Sequence, residues 1–204
     1  LSHLCSHLKV DAAEVLIYNK QLQRLNYFHA QGFHTLALRF SSLKLGQGCA
    51  GKVALNREDV YIPDLTQQPT GFSESPYFDQ EGFISYFGIP LIAKGEMLGV
   101  LEVFHRSRLE LENELIEYLH TLAGQAAIAI DNITLFEDIQ TSNLRLREAY
   151  DSTIEGWAHA LEMKDIETEG HSRRVVALTL NLAERLGFHG ELLQHIRRGA
   201  LLHD

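Results

Sequence analysis

Apolar residues in the first half of the chain alternate with polar ones, as is typical of β-strands. The segment "AAEVLIYNKQLQRLNYFHA" contains two such runs, around 15–17 and 25–29, separated by a polar turn at 19–21. Two longer runs, 84–93 and 96–105, flank a two-residue turn that contains glycine, and this turn length favours a tight hairpin. These runs predict paired antiparallel strands.

Short helices are predicted beside these strands. Residues 1–9 place their leucines and Cys5 on one side, as in the last turns of an amphipathic helix. The stretch "LGQGCAGKVALNRE" has three closely spaced glycines followed by helical spacing from Ala50 to Leu55, which predicts a tight loop that opens into a short helix. "DVYIPDL" follows as a short strand that ends at Pro63.

From residue 111 the apolar residues recur at alternating steps of four and three, which is the heptad pattern of a coiled coil. The seam comprises Leu115, Leu119, Leu122, Ala126, Ala129, Ile133 and Phe136, and after an extra step of three it continues through Ile139, Asn143, Leu146 and Tyr150. No proline or clear cap precedes Gly156, so we predict one helix over about 111–150. Its first half is expected to pack on the sheet. Three separate amphipathic helices are predicted beyond it.

Composition narrows the class of protein. The 204 residues are 45% hydrophobic and 22% charged, which is typical of a globular protein, and no apolar run is long enough to span a bilayer. The formal net charge of −9 argues against a nucleic-acid polymer as partner, because phosphate binding needs a basic face. Cys5 and Cys49 lack a CxxC neighbour, and no secretory signal is visible, so we expect free thiols in the cytoplasm.

Three stretches of the first 136 residues belong together: "LGQGCAGKVALNREDVYIPDL", "FGIPLIAKGEMLGVLEVFHR" and "LIEYLHTLAGQAAIAIDNITLFED". In this order they resemble a GAF domain. The resemblance implies an α+β fold, in which an antiparallel sheet is flanked by helices and carries a small-molecule pocket on one face. The residues expected at that pocket are Gly48, Cys49, Gly51, Asp64, Phe78 and Tyr86. The sequence does not identify the ligand.

A second group of motifs lies further along, in "EGWAHALEMKDIETEGHSRRVVALTLNLAERLG" and "GALLHD". They resemble the opening of an HD-GYP domain, a family of metal-dependent cyclic-di-GMP phosphodiesterases. Imidazole and carboxylate donors of this type suit iron, manganese or zinc. The expected metal ligands are Glu167, His171, His203 and Asp204. Arg173 and Arg174 either steer a phosphate or are ordinary surface charges of a helix.

The two resemblances predict a signalling protein, of which this chain is expected to be a piece because it begins on Leu. A GAF sensor (1–110) would regulate the phosphodiesterase through a homodimeric coiled-coil connector (111–150), followed by the first helices of an all-α HD-type bundle (151–204). The catalytic set is incomplete here, so the chain alone is expected to be inactive. Two alternatives remain: a GAF module that only dimerises, and an HD phosphohydrolase that acts on another nucleotide.

Overall fold

The computed structural model describes residues 1–35, 42–67, 79–110, 112–164 and 170–203. The chain divides into two compact units, residues 1–134 and residues 135–204. One helix runs from the first unit into the second.

The first unit contains a six-stranded antiparallel sheet. Its strands are β1 (Ala12–Asn19), β2 (Arg24–Gln31), β3 (Ser42–Lys44), β4 (Val60–Ile62), β5 (Ser85–Ala93) and β6 (Glu96–His105). They lie in the order β3-β2-β1-β6-β5-β4. The two predicted hairpins are confirmed as β1–β2 and β5–β6, and β1 pairs with β6 at the centre of the sheet. The predicted antiparallel α+β architecture is therefore confirmed.

The described residues form five α-helices, the last two of which belong to the second unit. They are α1 (Ser2–Leu8), α2 (Gly48–Asn56), α3 (Asn113–Lys164), α4 (His171–Arg185) and α5 (Glu191–Leu201). The predicted short helices at residues 1–9 and 50–55 are thus present as α1 and α2.

Helices cover both faces of the sheet. Because side chains alternate along a strand, Ala13 and Val15 of β1 lie on one face with α1 and the first part of α3, where Leu119, Ala123 and Ala127 are buried. The other face carries α2. Its apolar residues form two separate clusters, one around Val53 and Val100 and one around Tyr86 and Phe104.

The long helix differs from its predicted extent. A helix over about 111–150 and a separate helix after it were expected, whereas α3 continues without a break to Lys164 and has 52 residues. Gly156 lies inside it, and a Cβ added there would meet no atom within 4 Å. A single glycine costs about 1 kcal/mol in a helix interior. That cost does not end a helix whose flanking residues favour it.

The second unit consists of the later part of α3 with α4 and α5. Where the structure describes its side chains, the buried residues are Ile154, Ala158, Ala183 and Ala200. The Arg198 guanidinium lies 2.7 Å from the Asp151 carboxylate, and Arg147 lies 2.9 Å from Glu191. Gly187, at φ 83°, follows the end of α4, as its sequence position predicts.

Candidate functional site

Two acidic residues occupy the centre of the sheet on the face that carries α2. Glu14 of β1 lies directly opposite Glu102 of β6, and such cross-strand neighbours have Cβ atoms about 4.5–5.5 Å apart. Glu14 is only 5% exposed and Glu102 only 6%. Burial, and then the charge of Glu102, raise the pKa of Glu14, and burial raises the pKa of Glu102. This face therefore holds two acids that resist ionisation.

Tyr86 of β5 completes this group. Its position is set by Gly88, which lies opposite Glu102 on β5. A Cβ at position 88 would lie 2.2 Å from the Tyr86 hydroxyl oxygen, so the absence of a side chain there lets the phenol lie over the strand. The hydrogen bond of Tyr86 to the Glu102 carboxylate opposes the effect of burial on the Glu102 pKa. Two carboxyls and one hydroxyl thus meet on three adjacent strands.

Cys49 faces this group from α2. Burial first, and the charge of Glu102 second, raise the pKa of its thiol to about 12. Because the thiolate is the nucleophilic form, Cys49 is almost entirely an unreactive thiol near neutral pH. Its surroundings favour a packing role over covalent chemistry.

Aromatic rings form the wall beside the acidic pair. Phe104 of β6 stacks on Phe83, with ring centroids 4.9 Å apart, and lies 5.4 Å from the ring of Tyr86. The Arg106 guanidinium lies over the ring of Phe83, at 4.7 Å from its centroid. These rings give the site an apolar wall next to its carboxyls.

A buried ion pair fixes the loops that support this wall. Glu81 is 2% exposed and accepts hydrogen bonds from the backbone N–H groups of His34 and Thr35, both at 2.8 Å. Arg106 donates to the Glu81 carboxylate at 3.1 Å and to the carbonyl of Gly32 at 3.1 Å. These bonds tie the end of β6 to two loops, and removing one partner of such a pair is strongly destabilising.

In the second unit the structure brings two predicted metal ligands together. The rings of His171, the first residue of α4, and His203, just after α5, have centroids 5.4 Å apart. Both side chains are exposed. Glu167 and Asp204 lie outside the described residues. Within the described ranges, no group of three or more His, Cys, Asp or Glu residues is placed to hold a metal ion.

The two candidate phosphate-binding arginines lie in different settings. Arg173 lines a cleft of about 410 Å³ between the later part of α3, α4 and α5, together with His159, Ser172 and Arg197. Arg197 already forms an ion pair with Glu155, which also lines the cleft. The Arg174 side chain lies beside Gly170 at the start of α4. Of the two arginines, Arg173 is the one that lines this cleft.

The middle of α3 exposes a series of large apolar side chains. Those on the predicted seam are Ile133, Phe136, Ile139, Leu146 and Tyr150, each more than half exposed. Asn143, the predicted polar seam residue, donates a hydrogen bond to the carbonyl of Ile139 in its own helix at 3.0 Å. Single exposed hydrophobic residues are normal on a protein surface, whereas a larger exposed apolar stripe indicates an interaction surface.

Comparison with known proteins decides the family. The family model of the GAF domain matches residues 1–130, more than half of the chain. The chain belongs to the GAF domain family. GAF domains are typical of sensory and regulatory proteins.

Similar proteins agree with this assignment. The Nif-specific regulatory protein of Herbaspirillum seropedicae is 30% identical over 155 residues, which cover 72% of this chain and 27% of that protein. The chain thus spans about a quarter of that relative's length. The GAF domain of a phosphoenolpyruvate-protein phosphotransferase from Coxiella burnetii has a TM-score of 0.59 at 25% identity, over 66% of this chain and 79% of that one.

A third similarity supports the fold alone. The GAF domain of a two-component sensor histidine kinase from Bacillus halodurans has a TM-score of 0.57 at 20% identity, over 66% of this chain and 93% of that one. Within the described residues, no helix combines the length and hydropathy that crossing a membrane requires.

The predicted GAF pocket residues fall into distinct settings. Tyr86 is fully buried and Cys49 nearly so, next to the acidic pair. Gly48 begins α2 at φ 63°. A Cβ at Gly51 would lie 2.5 Å from the Lys44 carbonyl oxygen, so close backbone packing requires this glycine.

Asp64 caps a short 3-10 turn at Leu65–Gln67. Its carboxylate accepts hydrogen bonds from the hydroxyl and the backbone N–H of Thr66, and from the Gln67 side chain. The hydroxyl bond is the largest cause that lowers the Asp64 pKa. Phe78 lies outside the described residues.

Sequence reasoning missed Glu14 and Glu102. The available signal was a single charge inside each of two apolar runs, "AAEVLIY" and "LGVLEVF". In both runs the acid lies in phase with residues that pack under α2, such as Leu16 and Val100. The pairing of positions 88 residues apart becomes visible only in the sheet register.

Proposed function

We propose that this chain belongs to a cytoplasmic signalling protein whose GAF domain binds a small molecule. A dimeric helical linker would transmit the effect of ligand binding to an HD-GYP-type cyclic-di-GMP phosphodiesterase. The observation that most supports this proposal is the continuity of α3. The same helix buries Leu119 and Ala123 in the GAF core and Ile154 and Ala158 in the second unit.

Sensing is supported by the family and by the face of the sheet under α2. The Herbaspirillum relative is a regulatory protein, which agrees with a regulatory role for this GAF domain. Buried polar groups without compensating partners are costly to a fold and are common at ligand sites. Glu14 is such a group, because its Oε1 atom is buried without a hydrogen-bond partner among the described residues.

The phosphodiesterase part is supported by the histidine pair. When two imidazoles bind one metal ion, each ring nitrogen lies about 2.1 Å from it, which leaves the ring centres about 5 Å apart. The His171 and His203 ring centroids are 5.4 Å apart, a spacing compatible with this arrangement. Glu167 and Asp204 would supply the carboxylate ligands. A bound metal ion would activate water for attack on a phosphodiester.

Substitution of the histidines in the full-length protein tests this function. With manganese or iron supplied, we expect the full-length protein to hydrolyse cyclic-di-GMP, and His203→Ala or His171→Ala to lower kcat by about 100-fold or more. His189→Ala, in the exposed connection after α4, is the matched control and should retain activity. Equal activity in all variants, or hydrolysis of another nucleotide only, would contradict the proposal. Residues 1–204 alone are expected to be inactive.

A second candidate is a GAF module that dimerises without a ligand. It is favoured by the apolar stripe on α3 and by the two apolar clusters under α2. The two candidates differ in their response to small molecules. A ligand-binding domain gains thermal stability as the ligand concentration rises above its Kd, whereas a purely dimerising one responds only to its own concentration.

A further inference from the structure

The acidic pair divides the core on one side of the sheet. On the face that carries α1 and α3, the buried apolar residues form a single continuous cluster. On the α2 face they form two clusters. Along β1 the pair lies between Ala12 of one cluster and Leu16 of the other, and along β6 between Phe104 and Val100. The break in the core therefore coincides with Glu14 and Glu102.

Glu102 accepts a hydrogen bond from the Tyr86 hydroxyl, but neither acid has a positively charged partner in the described part of the chain. No Lys, Arg or His forms an ion pair with Glu14 or Glu102 there, and the Oε1 atom of Glu14 is buried without a hydrogen-bond partner. Buried carboxyls are rare unless they are paired. The opposite residue on β2 is Ala30, which offers no polar side chain. The site therefore contains a buried carboxyl oxygen, Glu14 Oε1, that can accept a further hydrogen bond.

The residues that line the site indicate which kind of cation, a metal ion or an organic ammonium ion, would fit it. A metal ion such as Ca²⁺ needs six or more oxygen ligands, and the described residues contain no cluster of three donors. Beside the acids lie the ring of Phe104, the phenol of Tyr86 and the side chain of Val53. Aromatic faces attract organic cations and pack against their carbon atoms. A small organic ammonium ion matches the acids through its charge and the aromatic rings through its carbon atoms.

We propose that Glu14 and Glu102 together bind the protonated nitrogen of a small organic amine, with the Tyr86 hydroxyl beside it and Phe104 against its carbon skeleton. This assignment rests on the proposed sensor function and names the class of its ligand. It treats the two acids as the ligand-recognising residues of the domain.

Proton release on binding is an independent signature of this arrangement. Burial raises the pKa of both carboxyls, and the charge of Glu102 raises the pKa of Glu14 further. Among the described residues, the other titratable groups that face them are Tyr86 from β5 and Cys49 from α2, and both are neutral near pH 7. A cation placed between the acids favours their charged forms. Amine binding near neutral pH should therefore release protons from this pair.

The test compares three ligands with one carbon skeleton: n-butylammonium, 1-butanol and butyrate. We expect only n-butylammonium to raise the Tm of the 204-residue chain. In calorimetric titrations near pH 7, in two buffers of different ionisation enthalpy, it should also release on the order of one proton. Glu14→Gln and Glu102→Gln should weaken amine binding about tenfold or more and abolish the proton release.

Glu96→Gln is the matched control, because Glu96 lies on the same strand as Glu102 but is exposed and paired with Lys20 at 2.8 Å. It should bind the amine like the wild type. Tyr86→Phe gives a further variant that removes only the hydroxyl. Circular dichroism establishes that each variant is folded before binding is measured.

Three results would overturn the amine assignment. They are equal stabilisation by butanol or butyrate, unchanged amine binding in the Gln variants, and no response to any of the three compounds. None of these rejects the sensor function. That function fails separately, if no small molecule of any charge co-purifies with the full-length protein or changes its thermal stability.

Discussion

Glu14 and Glu102 determine how the stability of the GAF domain depends on pH. An acid whose pKa is higher in the folded state than in the unfolded chain binds more protons when folded. Its contribution to folding is complete below the ordinary pKa, and it is lost as the pH rises towards the raised value. Both acids follow this pattern because burial is the first cause of their raised pKa.

We predict that the wild-type chain loses stability through this pair as the pH rises above 4.5, the ordinary pKa of Glu. Glu102→Gln should be more stable than the wild type by about 1–3 kcal/mol near pH 8, and the difference should shrink near pH 4. Urea unfolding at both pH values measures it. Glu96→Gln should show no such gain, since Lys20 lowers the Glu96 pKa. A constant difference between the wild type and Glu102→Gln would contradict the prediction.

Gly51 gives a prediction based on packing. A Cβ there would meet the Lys44 carbonyl oxygen at 2.5 Å, and this atom belongs to the backbone. Gly51→Ala should therefore lower the free energy of unfolding by about 1–3 kcal/mol. Gly124→Ala is the control, because position 124 lies in α3 with no atom within 4 Å, and it should raise that free energy by about 0.5–1 kcal/mol. Chemical denaturation of both variants decides the matter.

At the scale of elements, the sequence predicts whether a segment is a helix or a strand better than it predicts the first and last residues of that element or the strand it pairs with. The nearly continuous apolar runs 84–93 and 96–105, joined by a two-residue turn with glycine, give β5 and β6 almost to the residue. The continuation of α3 past residue 150 was missed, since one glycine weakens a helix without ending it. The acidic pair was missed because alternation assigns a face to each residue but does not identify its neighbour on another strand.

The continuity of α3 is tested at Gly156. Gly156→Ala should raise the free energy of unfolding of the second unit by about 1 kcal/mol. Gly156→Pro should lower it by about 3 kcal/mol, because proline removes a backbone hydrogen bond and clashes with the preceding turn. Far-UV circular dichroism during urea unfolding reports both changes. A neutral proline substitution would show that the helix ends near residue 150, as the sequence alone predicted.

At the scale of the whole molecule, the exposed stripe of α3 is the feature that a partner would cover. Ile139 is 58% exposed and Phe136 62%. Both belong to the heptad seam, whose a and d positions pack against a second helix in coiled coils. A parallel pair of chains would bring each seam residue close to its own copy.

We therefore expect Ile139→Cys to form a disulfide-linked dimer under mild oxidation. Asp138→Cys is the control, since position 138 is exposed and is rotated by about 100° or more from the neighbouring seam residues. Cys49 is buried and Cys5 half-buried, so the native thiols should contribute little. Non-reducing electrophoresis separates the species. Equal cross-linking at 138 and 139 would argue against a dimer through this seam.

The ends of the sheet have a consequence for solubility. Its two outermost strands, β3 and β4, are three residues long, whereas the interior strands have eight to ten. A long, flat edge strand can pair with a strand of another chain, and natural proteins avoid this by keeping their edge strands short. These short edge strands leave few unpaired backbone N–H and C=O groups with which another chain could pair. The protein should therefore reach high concentrations in the cell without forming fibrils.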